Sequence, residues 1–152
     1  TSLPSASAVV NKYLGIPFAA PPERFGVPKK PQPWDTPLNT SAWKPACIQQ
    51  WPRANEALSE LLTAAFNNPP PEESEDCLYL NVYASSTSAA GNGKPVMFSI
   101  YGGNFQSGNA GQPAFDGSAF AAYEDVIVVT INYRTNGEAL MMHVVDEVTD
   151  AW

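Results

Sequence analysis

A glycine pair at the end of an apolar run holds the residues of this chain best suited to chemistry. Pro95-Val96-Met97-Phe98-Ser99-Ile100 leads directly into Tyr101-Gly102-Gly103-Asn104-Phe105-Gln106-Ser107-Gly108. Backbone N–H groups can point at an ester oxygen only where no side chain blocks the approach, and glycines leave that approach open. The chemistry so served is stabilisation of the negative charge that develops on a carbonyl oxygen during acyl transfer. Such a site needs a nucleophile. A serine nucleophile of this chemistry is exposed on a sharp strand-to-helix turn, Gly-x-Ser-x-Gly, and the 152 residues contain no such pentapeptide. Ser99, Ser107 and Ser118 are left as candidates by default, with Ser107 beside the glycine pair. His143 is the only histidine, and Asp146 and Glu147 follow three and four residues later. A catalytic base and the carboxylate that orients it converge from separate loops. Neighbours along one helix point outward together, so these three read as surface or cap residues, neither triad nor metal site.

The elements that must position the glycine pair are legible as patterns. Leu78 to Ala84 and Pro95 to Tyr101 read as strands, the second apolar enough to be buried on both faces. Residues 126–133 (Val-Ile-Val-Val-Thr-Ile-Asn-Tyr) form the strongest β signal, a β-branched run expected as a central strand parallel to 95–101. Right-handed crossovers dominate such connections, which predicts one through residues 113–124. Leu58, Leu61, Leu62, Ala65 and Phe66 recur at helical spacing, which predicts a short amphipathic helix over 55–66. Residues 13–19 read as a short strand, and 28–46 as irregular chain pinned by Trp34 and Trp43. Glu138 to Trp152 reads as one further helix.

Composition narrows the function. The formal net charge is −7, which argues against nucleic acid and anionic membrane surfaces. Hydrophobic residues make up 44%, enough for a packed core. Fifteen prolines, concentrated between Pro17 and Pro71, demand long loops there. No apolar stretch reaches the length of a membrane span. The start lacks a basic segment followed by an apolar one, so Thr1 reads as a mature or trimmed start. Cys47 and Cys77 are either reduced core residues or one disulfide. Asn39-Thr40-Ser41 is a glycosylation sequon.

Ser74-Glu75-Asp76-Cys77-Leu78-Tyr79-Leu80-Asn81-Val82-Tyr83, followed downstream by Tyr101-Gly102-Gly103-Asn104-Phe105, resembles the type-B carboxylesterase family, which includes cholinesterases and fungal lipases. The resemblance covers residues 13–136; residues 137–152 depart from it. It implies an α/β fold, the N-terminal part of an α/β-hydrolase in a single partial domain over 1–152. A mixed, mostly parallel and incomplete sheet with long proline-rich loops is expected. By match to the family motif, the oxyanion donors are the N–H groups of Gly103 and Asn104, with Gly102 supporting the loop. Asparagine at 104 keeps the N–H and adds bulk that narrows the acyl pocket.

The resemblance also implies a Cys47–Cys77 disulfide, and hence an oxidising, extracellular compartment, with Asn39 glycosylated. It pairs Arg24 with Glu75 structurally and places the partner of Arg134 beyond the point of divergence. The implied substrate is a neutral carboxylic ester, with no cofactor and no metal. The only tryptophan in the cysteine loop, Trp51, lies far in sequence from the EDCLYLN motif, which counts against cation–π recognition of a quaternary ammonium. The function expected is a carboxylic ester hydrolase portion whose nucleophile comes from outside these residues. The alternative is a non-catalytic binding or interaction protein on an esterase-like sheet. An incomplete sheet would leave 126–133 at an uncovered edge, open to a partner chain or self-association.

Overall fold

The computed structural model describes residues 8–51, 56–87 and 93–137. Four strands form one sheet: β1 (Val10–Pro17), β2 (Tyr79–Ser85), β3 (Val96–Ile100) and β4 (Ile127–Ile131), in the spatial order β1-β2-β4-β3. Two helices accompany it, α1 (Glu56–Phe66) and α2 (Ser118–Tyr123), with a 3-10 turn at Pro113–Phe115 between β3 and α2. No described helix is long and apolar enough to cross a membrane.

β4 is the β-branched run, and it takes the interior position that such a run favours. It pairs in parallel with β3, Val96 opposite Ile127 and Ile100 opposite Ile131. On its other side it pairs antiparallel with β2, which pairs antiparallel with β1. The sheet is therefore mixed, but two of its three pairings are antiparallel, contrary to a mostly parallel expectation. The reason is positional: β1 and β2 form the antiparallel start of the sheet, and parallel pairing begins only at β3 and β4.

The small helix α2 packs on the sheet. Ala121 and Ala122 meet Val10, Leu14, Tyr83 and Val128 in one buried cluster. Burying each of the larger of these side chains contributes roughly 1.5–3 kcal/mol. Alanines on the helix let it sit close, and Lys12 and Asp116 close the cluster's rim with an ion pair of 2.5 Å. β1 begins at Val10, three residues before the apolar pattern at 13–19 suggests. Its alternation is masked in sequence by exposed polar residues; Val10 pairs opposite Ser85 and is buried in the cluster under α2.

Further expectations differ here, and among the described residues β3 is left uncovered. Val96, Phe98 and Ile100 are 59%, 57% and 64% exposed, so β3 is not buried on either face. The uncovered edge belongs to β3, and the run 126–133 lies inside the sheet. α1 forms as predicted, yet it buries no residue, and Leu58, Leu61 and Phe66 stay exposed. Trp34 is half exposed and anchors little, whereas Trp43 tilts onto the Tyr83 ring with centroids 6.4 Å apart.

An apolar edge strand with unpaired backbone groups pairs with whatever strand it meets. Concentration-dependent association of the isolated chain is therefore expected in sedimentation velocity, and Phe98→Lys should move the population toward monomer. A wild-type chain that stays monomeric across the range would refute this role for the β3 edge.

Candidate active site

β3 and β4 run parallel and in register, so the residues just beyond them emerge side by side. Tyr101 and Tyr133 stack there, with ring centroids 4.3 Å apart and planes 17° from parallel. Their hydrogen bonds are reciprocal. The Tyr101 hydroxyl donates to the Tyr133 carbonyl at 3.0 Å and accepts from the Tyr133 N–H at 3.2 Å. The Tyr133 hydroxyl donates to the carbonyls of Tyr101 and Gly102, at 3.0 and 3.2 Å. Burial pushes both phenols above their ordinary range, which keeps them neutral donors.

This lock orients the glycine pair. A trans peptide sets its N–H opposite its carbonyl, so holding the Gly102 carbonyl on Tyr133 turns the Gly103 N–H away from that ring. The next carbonyl, that of Gly103, accepts from the N–H groups of Gln106 and Ser107 at 3.0 and 3.2 Å. That closes a tight turn and leaves the Asn104 N–H on its outer side. Among the described residues no acceptor meets the N–H of Gly103 or of Asn104.

Only glycine fits at 103. Its φ is +111°, and a Cβ there would lie 1.8 Å from the Ser107 carbonyl oxygen. Asn104 and Phe105 continue in the left-handed region, at +54° and +57°. Asparagine tolerates that conformation, while for phenylalanine it costs of order 1 kcal/mol or more. Phe105 meets the Tyr133 ring edge-on at 6.1 Å. At Gly102 a Cβ would meet nothing within 4 Å. The protein does not require glycine there for its own packing; the open side faces a cavity.

That cavity has a volume of about 510 Å³, within the span of small-molecule sites. Gly102, Gly103 and Asn104 form part of its wall; Trp51, Leu62 and Phe66 from the cysteine loop face them, with Phe115 beyond. Among the described residues, none that lines it is charged. Donor groups without acceptors, on the wall of an apolar and uncharged cavity, suit an uncharged ligand that carries a carbonyl oxygen.

The sequence profile of the carboxylesterase family matches residues 2–137. The chain belongs to the carboxylesterase family. It is 46% identical over 130 residues to carboxylesterase 5A of Mus musculus, covering 82% of this chain and 21% of that protein. Carboxylesterase 3 of Pongo abelii is 43% identical over 131 residues, with 83% and 22% covered. Carboxylesterase 1D of Rattus norvegicus is 43% identical over 128 residues, with 82% and 22% covered. The chain thus spans under a quarter of the length of these relatives. Membership implies an α/β-hydrolase fold.

Within this carboxylesterase-family chain, Cys47 and Cys77 are disulfide-bonded, with Cα atoms 4.9 Å apart and both residues fully buried. Arg24 Nε lies 3.3 Å from Glu75, in a pair exposed enough to add little stability. Arg134 is buried, and its Nη1 donates to the Gly26 carbonyl at 2.7 Å. Asn39 is exposed, and its Oδ1 accepts from the N–H and hydroxyl of Ser41, at 3.2 and 2.6 Å. Ser107 is buried by the turn, Ser99 sits in β3, and Ser118 opens α2. His143, Asp146, Glu147 and the expected helix over 138–152 lie outside the described residues. No group of three or more metal-ligating side chains occurs among the described residues.

The structure also brings in residues that the sequence did not place at the site. Trp51 forms part of the cavity wall, so its distance in sequence from the EDCLYLN motif carries no weight against a role in binding. Tyr133 was visible only as part of a strand, and its hydroxyl turns out to hold the glycine pair. Beneath the turn, Asn81, Thr130 and Asn132 form a buried polar network. Asn81 Nδ2 donates to Thr130 Oγ1 at 3.0 Å, and Asn132 Nδ2 donates to the carbonyls of Pro45 and Cys77, both at 3.0 Å. Polar residues within strand patterns were the available signal, because a buried amide must be satisfied and therefore ties segments together.

Proposed function

We propose that this chain supplies the oxyanion donors and one wall of the acyl pocket of a carboxylic ester hydrolase. What supports the reading is that the N–H groups of Gly103 and Asn104 lack acceptors among the described residues and belong to residues lining a cavity with no charged residue among its described lining. In the reaction, an attacking oxygen converts the ester carbonyl to a tetrahedral oxyanion, and two fixed donors stabilise the charge as it forms. The turn is held by the tyrosine lock, so little reorganisation is needed at that moment. The substrate is a neutral ester, because the described lining of the cavity offers no charge to pair with a charged one. The nucleophile and its base come from residues other than these 152.

Complementation tests this. The chain alone should give no nitrophenol burst with nitrophenyl butyrate and no fluorophosphonate label, since donors without an activated serine form no acyl-enzyme. Co-expressed with the part of mouse carboxylesterase 5A that it does not match, it should restore turnover, with the label on that partner. Labelling of a serine in this chain, Ser107 above all, would sink the proposal.

The disulfide and the exposed Asn39 sequon support a secreted glycoprotein. Expression through a secretory pathway should yield a glycosidase-sensitive mass that Asn39→Gln removes; an unglycosylated wild-type product would contradict this.

A further inference from the structure

The oxyanion turn is held from outside by a residue that the reaction does not touch. Asn136, just past β4, takes φ +61°, a left-handed conformation that asparagine tolerates. That conformation aims both its backbone and its side chain back at the turn. Its N–H donates to the Phe105 carbonyl at 2.8 Å. Its carboxamide Nδ2 donates to two carbonyls, that of Gln106 at 3.1 Å and that of Ile48 at 2.9 Å. One NH₂ group carries two hydrogens, so both are used.

The two carbonyls belong to different structures. Gln106 lies in the turn, whose N–H groups at 106 and 107 close onto the Gly103 carbonyl. Ile48 follows Cys47, and the disulfide fixes that segment to Cys77, two residues before β2. Two further contacts join the same partners. The Gln50 N–H donates to the Gln106 carbonyl at 2.7 Å, and the Gly108 N–H donates to Gln49 Oε1 at 2.7 Å. The turn is thus held between the chain past β4 and the disulfide-anchored segment, and the Asn136 carboxamide bonds to both the turn and that segment.

We propose that Asn136 is a positioning residue for the oxyanion donors. Its carboxamide clamps the turn to the disulfide-anchored segment and so sets the direction of the Gly103 and Asn104 N–H groups. This rests on the reading of those groups as donors. The clamp itself is tested without reference to ester turnover, so a failure of one is distinguishable from a failure of the other.

Two variants of the full chain isolate the carboxamide. Asn136→Gly keeps the left-handed backbone and its N–H while removing the side chain. Asn136→Asp keeps the shape but sets an acceptor against two carbonyls. Selective 15N-glycine labelling reads Gly103 as a spectroscopic signature, and hydrogen exchange reads the Gln106 and Ser107 amides. Both variants should displace the Gly103 amide resonance and speed exchange in the turn by roughly tenfold, the loss of about one hydrogen bond. Exchange in β2 and β4 should stay within about twofold of wild type, because the opening is local. A folded Asn136→Gly with an unmoved Gly103 resonance and unchanged turn exchange overturns the proposal. Equal acceleration in β2 and β4 overturns it too, as does loss of the fold in both variants, since each makes Asn136 a general structural residue. If only Asn136→Asp fails to fold, Asn136→Gly decides.

Discussion

In the complemented assembly, removing the Asn104 N–H should lower ester turnover by roughly 10²–10³, the usual cost of losing one oxyanion donor. The choice of substitution matters. Proline removes the donor, but it fixes φ near −65°, and Asn104 sits at +54°. Asn104→Pro would therefore break the turn along with the donor, and its loss of rate would overstate the donor's role. Replacing the residue by its α-hydroxy analogue exchanges the N–H for an ester oxygen and leaves φ free. The loss should fall on kcat, with KM little changed, because the charge that the donor meets exists only in the transition state. Asn104→Gly is the control. Glycine keeps the N–H and adopts positive φ without strain, so it should retain turnover and accept bulkier acyl groups than asparagine does. A hydroxy-acid variant with undiminished kcat would remove position 104 from the reaction.

The disulfide carries the second large effect. Cys47→Ala combined with Cys77→Ala should destabilise the chain by roughly 3.5 kcal/mol, the chain-entropy value for a loop of this length. The two cysteines are 30 residues apart in sequence. For a chain of this size, that corresponds to a melting temperature lower by about 10 °C. Both sulfurs lie in a small buried cluster with Ala19 and Leu78, so alanine leaves a void that adds to the loss. The consequence reaches the cavity, because Trp51, Leu62 and Phe66 belong to the loop that the bond closes. Their wall should loosen before the sheet does. Differential scanning fluorimetry gives the first effect and Trp51 fluorescence contributes to the second. A melting temperature within about 2 °C of wild type would show that the loop is held by its other contacts.

Much of this was written in local pattern. The β-branched run that became β4, the helical spacing of α1 and the glycine pair after β3 each depend on neighbours within a few residues, where backbone preferences act. The EDCLYLN segment and the glycine pair likewise carried the family resemblance. Other features had no local expression. β3 is as apolar as a buried strand, and no property of Val96-Met97-Phe98-Ser99-Ile100 tells whether neighbouring chain will cover it. Burial is decided by what packs on a surface, and in this sheet β3 is the last strand.

The proposed donors divide along the same line. Sequence alone determined that residues 102 and 103 lack side chains, and that an apolar strand delivers them to a sheet end. Only the tertiary structure decided how the peptide groups of Gly102, Gly103 and Asn104 are held. They are held by the Tyr133 hydroxyl, thirty residues on, and by a turn closed onto the Gly103 carbonyl. The parallel pairing of β3 with β4, expected from the sequence, brings Tyr133 there, but which groups its hydroxyl would hold had no local signal. The same holds for Trp51, which lies in the loop closed by the Cys47–Cys77 bond and lines the cavity beside the turn. Side-chain chemistry is local, but the orientation of a peptide dipole is set by whichever distant groups hold the carbonyls on either side of it.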